Sequence, residues 1–443
     1  MDKIKKVNTT KLIILLLVSL AYSWIFLIEL FQISQNSSVG YLTMVISFAV
    51  NVGITSFILL KAIDYLKKQK DQNNTFFLFK VFVVWAAAEW LTSLLATLIW
   101  IGVDGSIDSV APFASLTPTL SYTPISFLAR IFGFHGLSAI FVTLLVALWT
   151  KKYRKQGYAL LGLIVILWLF SFMFWRSPNG GEVNVTIVAE KLTGNKTIQT
   201  DSDVVILPEY GLDRYEDEGS RIVSDHDVFF VGSRQGYVGN SINNQFIFGS
   251  NEKGIISTTD KSRLIPGGEY LPYLVDIPLK IFNQKQTLLD FDFARAVTKG
   301  ESTQDVTVVN DDLTLGSAVC SSIVNQEDYR RMTNRGANLL TNSASLGIFG
   351  GSHVYEFQHV GMAHFHAVAN ARPFLQSTLD FPAFALDQNG RQIAMINPIN
   401  SSDLSVRTNN KKTLYTLVGD WAVWIGIFYL VWAIAKWFRF ERN

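Results

Sequence analysis

Long apolar stretches constrain this chain more than any other feature. They lie in a fixed arrangement, several towards the amino end and one near the carboxyl end, with a single long polar block between them. Leu12 to Phe31 is apolar apart from Ser19, Ser23 and Glu29, and so offers the roughly 20 residues needed to cross a hydrocarbon core. It follows Lys3, Lys5, Lys6 and Lys11, and no small-residue cleavage site succeeds it, so it reads as an uncleaved anchor. Tyr41 to Leu60, Val81 to Val103, Ile131 to Thr150, Tyr158 to Trp175 and Leu414 to Ala435 are similar. The expectation is six membrane spans.

Basic residues set the orientation, because short cytoplasmic loops carry the Lys/Arg excess. Lys67, Lys68 and Lys70, then Lys151, Lys152, Arg154 and Lys155, then Lys436, Arg439 and Arg442 all fall on the amino-terminal side of the six spans. The segments Gln32 to Gly40 and Asp104 to Thr123 hold no Lys or Arg and fall opposite, with the polar block. Both termini are therefore expected in the cytoplasm and the polar block outside it. The Asp104 to Pro124 segment, with Phe113, Leu116 and Leu120, reads either as a surface loop or as a dip into the outer leaflet. Trp24, Trp100, Trp175 and Trp437 near span ends fit interfacial belts.

The polar block changes period. VNVTIV, DVVILP, DVFFVGS, NQFIFGS, VTVV and LGSAVCS read as strands, NQEDYRRMTNRGANLL as a helix entering a strand, and FQHVGMAHFHAVANARPF as a second helix entering another. This is an α/β pattern. The net charge of +2 gives no reason to expect a nucleic-acid partner. The single cysteine, Cys320, excludes an internal disulfide and a multi-cysteine zinc site. His353, His359, His364 and His366 cluster in sequence, but no pair has the spacing of a helical zinc motif, so no metal and no cofactor is expected.

Three segments carry chemistry if the fold brings them together: Glu209 in VVILPEYG, Lys261 in TTDKSRLIPGGEYLPY and Cys320 in LGSAVCSS. Each sits at a strand end or loop start, where sites on open α/β sheets gather. Alone, each has a plainer reading, as a solvated charge or a buried thiol. Within the apolar stretches, Glu89, Asp420 and Arg130 are ionisable groups that mark either a function or a buried polar partner.

LPEYG, KSRLIPGGEYLP, AVCSS, RGANLLTN and QHVGMAHFHAVANARP, in that order, resemble the motif series of the carbon–nitrogen hydrolase (nitrilase) superfamily, and most nearly its membrane branch, the apolipoprotein N-acyltransferases. The resemblance implies a membrane helix bundle plus an extracytoplasmic nitrilase-like αββα sandwich with a shortened first helix. It implies residues 1–176 as a five-span membrane domain, 177–411 as the catalytic domain and 412–443 as the last span with a cytoplasmic tail. It further implies Cys320 as nucleophile, Glu209 as general base, Lys261 as oxyanion stabiliser and Glu269 as a supporting carboxylate, with Glu89 and Arg130 as lipid-contact candidates.

On that resemblance, an acyl chain passes from a phospholipid to Cys320 as a thioester. It then passes to the α-amino group of a lipidated cysteine at the start of an apolipoprotein, in a bacterial inner membrane. A membrane-tethered amidase or a catalytically impaired member is the alternative. The chain departs from the family in several places. Two helices usual ahead of Glu89 are not evident. Cys320 is followed by Ser321-Ser322 where the family has Tyr-Glu. The segment Ser345 to Phe349 stands for Asn-Asp-x-Trp-Phe, and no Glu lies near Ala369.

Overall fold

A computed structural model describes residues 38–71, 76–105, 112, 114–192, 196–212, 221–238, 241–294, 297–300, 306–349 and 352–440, with the single positions 21 and 25. The first expected span, Leu12 to Phe31, lies outside the described residues but for those two positions. The next four apolar stretches are helices: α1 (Ser38–Asp71), α2 (Phe77–Ile99), α3 (Ala129–Trp149) and α4 (Arg154–Trp175). Among the described residues, four helices are long and apolar enough to cross a membrane.

The second helix, α2, is the hub of this bundle, packing against α1, α3 and the last helix of the chain. Its Ala86-Ala87-Ala88 run is buried, and Gly426 of the last helix lies so close to Val83 and Ala87 that a Cβ there would strike the Val83 carbonyl. Small residues facing each other let helices in lipid approach until dispersion and polar contacts hold them. By contrast α4 keeps most of its apolar side chains on the outside.

The last apolar stretch departs from expectation. Leu414 to Ala435 is not one span but two helices, α9 (Leu414–Val418) and α10 (Trp421–Phe440); α5 (Tyr273–Ile281), α6 (Lys285–Ala294), α7 (Gln326–Asn334) and α8 (His353–Asn370) lie in the polar block. Gly419, at φ +68, breaks them. The apolar part of α10, Trp421–Lys436, is shorter than the other four. The break places Asp420 at the head of α10, where its Oδ2 accepts from the His135 backbone N–H (3.3 Å).

The polar block forms two six-stranded sheets. The first holds β1 (Glu182–Val188), β3 (Val204–Ile206), β5 (Phe229–Val238), β6 (Ser241–Ser250), β7 (Gly254–Asp260) and β14 (Ser401–Arg407), in the order β14-β1-β3-β5-β6-β7. The second runs β13-β12-β11-β10-β9-β8, from β8 (Val306–Val308), β9 (Thr314–Val319), β10 (Leu339–Ser345), β11 (Phe374–Leu379), β12 (Ala383–Leu386) and β13 (Gln392–Ile396).

The two sheets share a plan. Each has a parallel trio, β1-β3-β5 or β9-β10-β11, extended by an antiparallel meander and closed by one antiparallel strand. They pack face to face, β1 touching β11 and β12 while β5 touches β9 and β10. Val183, Val185 and Ile187 of β1 and Leu315, Ala318 and Val319 of β9 share one apolar core.

The outer face of the second sheet carries α7 (Gln326–Asn334) and α8 (His353–Asn370). Over the first sheet, the described residues between β1 and β5 hold no α-helix; the short pair β2 (Ile198–Gln199) and β4 (Ile222–Val223) lies there instead. Leu192, Leu207, Leu212 and Phe230 belong to a small apolar cluster there.

The helix α8 joins sheets to bundle, packing against α3 and the helical turn Thr117–Leu120. Phe365 meets Phe134 edge to face, and Gly361 lets the Pro118 carbonyl approach. The described part of the Asp104 to Pro124 segment is therefore mostly internal: Ser115, Thr117, Leu120 and Ser121 are buried. Tyr122, by contrast, stacks on Phe357 of α8 at the surface.

Candidate active site

The carboxyl ends of the two parallel trios meet, and there the fold assembles the candidates from three distant segments. Glu209 follows β3, Lys261 follows β7, and Cys320 follows β9 at the start of a 3-10 turn. The Glu209 backbone N–H donates to the Ala344 carbonyl of β10 (3.3 Å), which stitches one sheet's loop to the other sheet.

Lys261 Nζ donates to Glu209 Oε1 (2.9 Å) and to Glu269 Oε1 (2.7 Å). Asn244, on β6, donates from Nδ2 to the same two oxygens (3.1 and 3.0 Å) and to Tyr210 Oη (2.6 Å). The other carboxylate oxygens are held by backbone: Glu209 Oε2 by the Ser345 N–H (3.1 Å) and Glu269 Oε2 by the Ile265 N–H (2.8 Å). Glu209, Lys261, Glu269 and Cys320 are all buried.

The nucleophile candidate has a left-handed backbone, Cys320 at φ +46, and so has Tyr210 beside Glu209, at φ +60. Non-glycine residues hold such angles only where surrounding structure over-determines them, and they concentrate at functional sites. The Cys320 Sγ lies 3.9 Å from the Ser345 carbonyl, within the electrostatic reach of Glu209 and Lys261.

Electrostatics follow from two carboxylates sharing one ammonium. Burial alone would lower the Lys261 ammonium, but Glu209 and Glu269 outweigh it and hold its pKa well above the usual range, so the ammonium stays charged. Burial pushes the Cys320 thiol well up, Glu209 adds to the rise, and Lys261 opposes it only in part. Burial also raises Glu269, against the pull of Lys261. The resting sulfur is thus a thiol beside a base rather than a preformed thiolate.

The GGEYLP segment does two things at once. While Glu269 reaches Lys261, the next residue turns to the membrane side: Tyr270 Oη donates to the Trp100 carbonyl (2.7 Å) just past α2, and the Tyr273 N–H to the Ile101 carbonyl (2.9 Å). A buried Arg263–Asp328 pair and the Ser321 hydroxyl, which donates to the Arg263 carbonyl, tie this loop to α7 and to the residue after the nucleophile. Asn244 had no distinguishing mark in the sequence, whereas Tyr210 and Arg263 lie inside the LPEYG and KSRLIPGGEYLP motifs and Ser345 opens a segment that departs from the family pattern.

The two candidates for lipid contact lie elsewhere and inside. Glu89 accepts from Trp85 Nε1 (2.9 Å), Ser115 Oγ (3.0 Å) and Ser138 Oγ. Its Oε2 lies 3.7 Å from His135 Nδ1. Arg130 is fully buried and donates to the Val368, Ser171 and Gln388 carbonyls and to Asn389 Oδ1 (3.0, 3.1, 2.7 and 3.0 Å). With its donors so engaged, it ties α3 to α4, α8 and the β12–β13 turn. Both groups thus have internal protein partners.

The four histidines do not converge. His353 is exposed beside Glu356, His359 Nε2 faces Gln376 Oε1 (2.9 Å), His366 Nε2 faces the Ile323 carbonyl (2.7 Å), and His364 packs against Tyr122.

No family model matches the chain. Apolipoprotein N-acyltransferase 1 of Treponema denticola is 28% identical over 167 residues, covering 37% of this chain and 29% of that protein. An apolipoprotein N-acyltransferase of Photobacterium profundum is 21% identical over 395 residues, covering 80% of this chain and 71% of that protein. Among solved structures, a nitrilase-superfamily amidase of Nesterenkonia AN1 gives a TM-score of 0.35 at 14% identity, over 52% of this chain and 91% of that one. Saccharomyces cerevisiae Nit3, also of the nitrilase superfamily, gives 0.35 at 12% identity, over 52% and 90%.

Proposed function

We propose that the chain is a divergent membrane N-acyltransferase. It would move an acyl chain from a phospholipid, through a thioester on Cys320, to the amino group of a lipidated cysteine at the start of an apolipoprotein. The observation that carries this reading is the meeting of Glu209, Lys261 and Cys320 at the joined ends of two sheets whose helices dock on an apolar bundle. Relatives named as apolipoprotein N-acyltransferases support the acceptor. The basic residues on one side of the spans support six spans with the sheets outside the cytoplasm of a bacterial cell.

In the first step Glu209 takes the thiol proton as Sγ attacks the ester carbonyl. The Lys261 ammonium, kept charged by its two carboxylates, opposes the negative oxygen of the tetrahedral intermediate. Collapse breaks the ester C–O bond, and the leaving alkoxide of the lysophospholipid takes the proton back from Glu209. In the second step the amine attacks the thioester, Glu209 accepts the amine proton, and the departing sulfur is reprotonated as the amide forms. Glu269 and Asn244 keep Lys261 and Glu209 in register. The helix bundle suits a donor whose chains stay in lipid while its ester reaches the sheet ends.

The test is intact-mass analysis of the purified protein after incubation with phospholipid vesicles, then addition of an N-terminal diacylglyceryl-cysteine peptide. Expected is an acyl adduct that hydroxylamine removes, that Cys320→Ala lacks, and that the peptide discharges as an amide. Discharge by water alone at the same rate would favour a hydrolase. An adduct formed equally in Cys320→Ala would overturn the mechanism.

A further inference from the structure

A cavity of about 600 Å³ opens where the end of α4, the segment leading into α3 and the β12–β13 turn meet. This volume is in the range that holds a lipid headgroup or a drug-sized molecule. It contains none of the residues of the Cys320 site. His364 of α8 lines it.

Its walls divide by chemistry. Arg176 and Arg391 supply two guanidiniums, both exposed. Among the described residues neither is paired with a carboxylate, and Arg176 lies over the Phe172 ring. Asp387 also lines the cavity, but its Oδ1 accepts the Asn389 and Arg391 backbone N–H groups (both 2.8 Å). Two cations thus face one carboxylate already engaged by the turn. Phe127 and Phe172 give the cavity an aromatic wall, edge to face, with Trp168 stacked on Phe172 behind it, and Leu169, Phe170, Met173 and Phe174 leave α4 an apolar exposed surface.

Guanidiniums bind phosphate oxygens in a planar fork, and basic groups at a membrane surface draw anionic lipid. From this arrangement we infer that the cavity is a non-catalytic phospholipid site. The phosphate of an anionic phospholipid sits between Arg176 and Arg391, and its acyl chains run along the exposed face of α4. The cationic rim and the apolar face are continuous at the end of a span-length helix, which favours a lipid over a free anion. Such a lipid would brace the seam that Arg130 ties from the inside.

The test uses the full chain in detergent micelles, with Cys320→Ala as background so that no acyl transfer consumes the probe. Native mass spectrometry counts bound phosphatidylglycerol for this protein and for Arg176→Gln/Arg391→Gln. Expected is at least a fivefold fall in adducts in the double variant, with diacylglycerol, which lacks the phosphate, not retained by either protein. Arg391→Glu alone, an exposed turn position, should give a similar fall and keeps the test valid if the double variant misfolds. Unchanged retention in Arg391→Glu would overturn the site. So would displacement of the lipid by millimolar inorganic phosphate, which would mark a simple anion site. Because Cys320 is absent throughout, these outcomes are independent of whether the acyl-transfer reading holds.

Discussion

At the scale of single residues, the site is governed by one ammonium shared between two carboxylates. Since burial first and Glu209 second hold the Cys320 thiol up, its alkylation by a small haloacetamide should be slow at neutral pH and accelerate only under alkaline conditions. Glu209→Gln removes that negative charge while Lys261 remains. The alkylation profile should therefore move to lower pH, even as acyl-adduct formation drops by about a hundredfold or more for want of the base. A profile moving to higher pH would contradict the charge arrangement. Asn244→Leu breaks the bridge between Glu209, Glu269 and Tyr210; the expected result is a ten- to hundredfold loss in the rate of adduct formation with normal membrane insertion, read by the same mass assay.

Elements impose their own demands, and α8 and α3 show them best. Burial lowers His359 to about 4 and His366 to about 3, so both stay neutral in the folded protein while an unfolded chain would protonate them near pH 6.5. Their contribution to stability is present above that pH. It is lost progressively as the pH falls from about 6.5 towards 4 and 3, by roughly 1.4 kcal/mol per pH unit for each group. Thermal unfolding scans at pH 7, 6, 5 and 4 should show the decline, and His366→Phe should flatten it.

In α3, Gly133 at φ +74 and ψ −161 occupies a region open almost only to glycine, and a Cβ would run into Asp420. Gly133→Ala should lower stability by about 2–4 kcal/mol, measured by thermal unfolding in detergent. A neutral result would mean that the kink relaxes freely.

For the molecule as a whole, the question is what holds a membrane bundle to a two-sheet body. Arg130 gives one answer: a guanidinium on α3 donates to acceptors on α4, α8 and the β12–β13 turn. Arg372, on the other side of α8, bonds the Ala337 and Lys411 carbonyls and so fastens the approach to α9. Arg130→Met would leave at least three carbonyls without their donor, at a cost on the order of 3 kcal/mol or more. The expected outcome is a lower Tm and earlier protease cleavage between residues 176 and 182. Unaltered protease resistance would show that the seam is held by α8 packing alone.

The pattern of apolar runs and strand segments was legible in the sequence because period and length are local properties. α1 to α4 and the β1, β3, β5, β6, β8 and β9 segments stand where Tyr41 to Trp175, VNVTIV, DVVILP, DVFFVGS, NQFIFGS, VTVV and LGSAVCS placed them. Glu209, Lys261 and Cys320 were singled out through the motif series LPEYG, KSRLIPGGEYLP and AVCSS, each near a strand end, and the fold places all three at the joined sheet ends. Other features depended on contacts between distant segments. That Glu89 and Arg130 are ionisable was plain in the sequence, but only the fold showed Ser115, Ser138, Val368 and Gln388 as their partners. Asn244 looked like any strand residue until β6 set it against two loops. Gly419 broke the last apolar run because a left-handed backbone was needed where Asp420 meets α3. A one-dimensional pattern records what each segment prefers to be; which buried charge finds which partner is decided only when the segments pack, because the free energy of a buried polar group depends almost wholly on its neighbours.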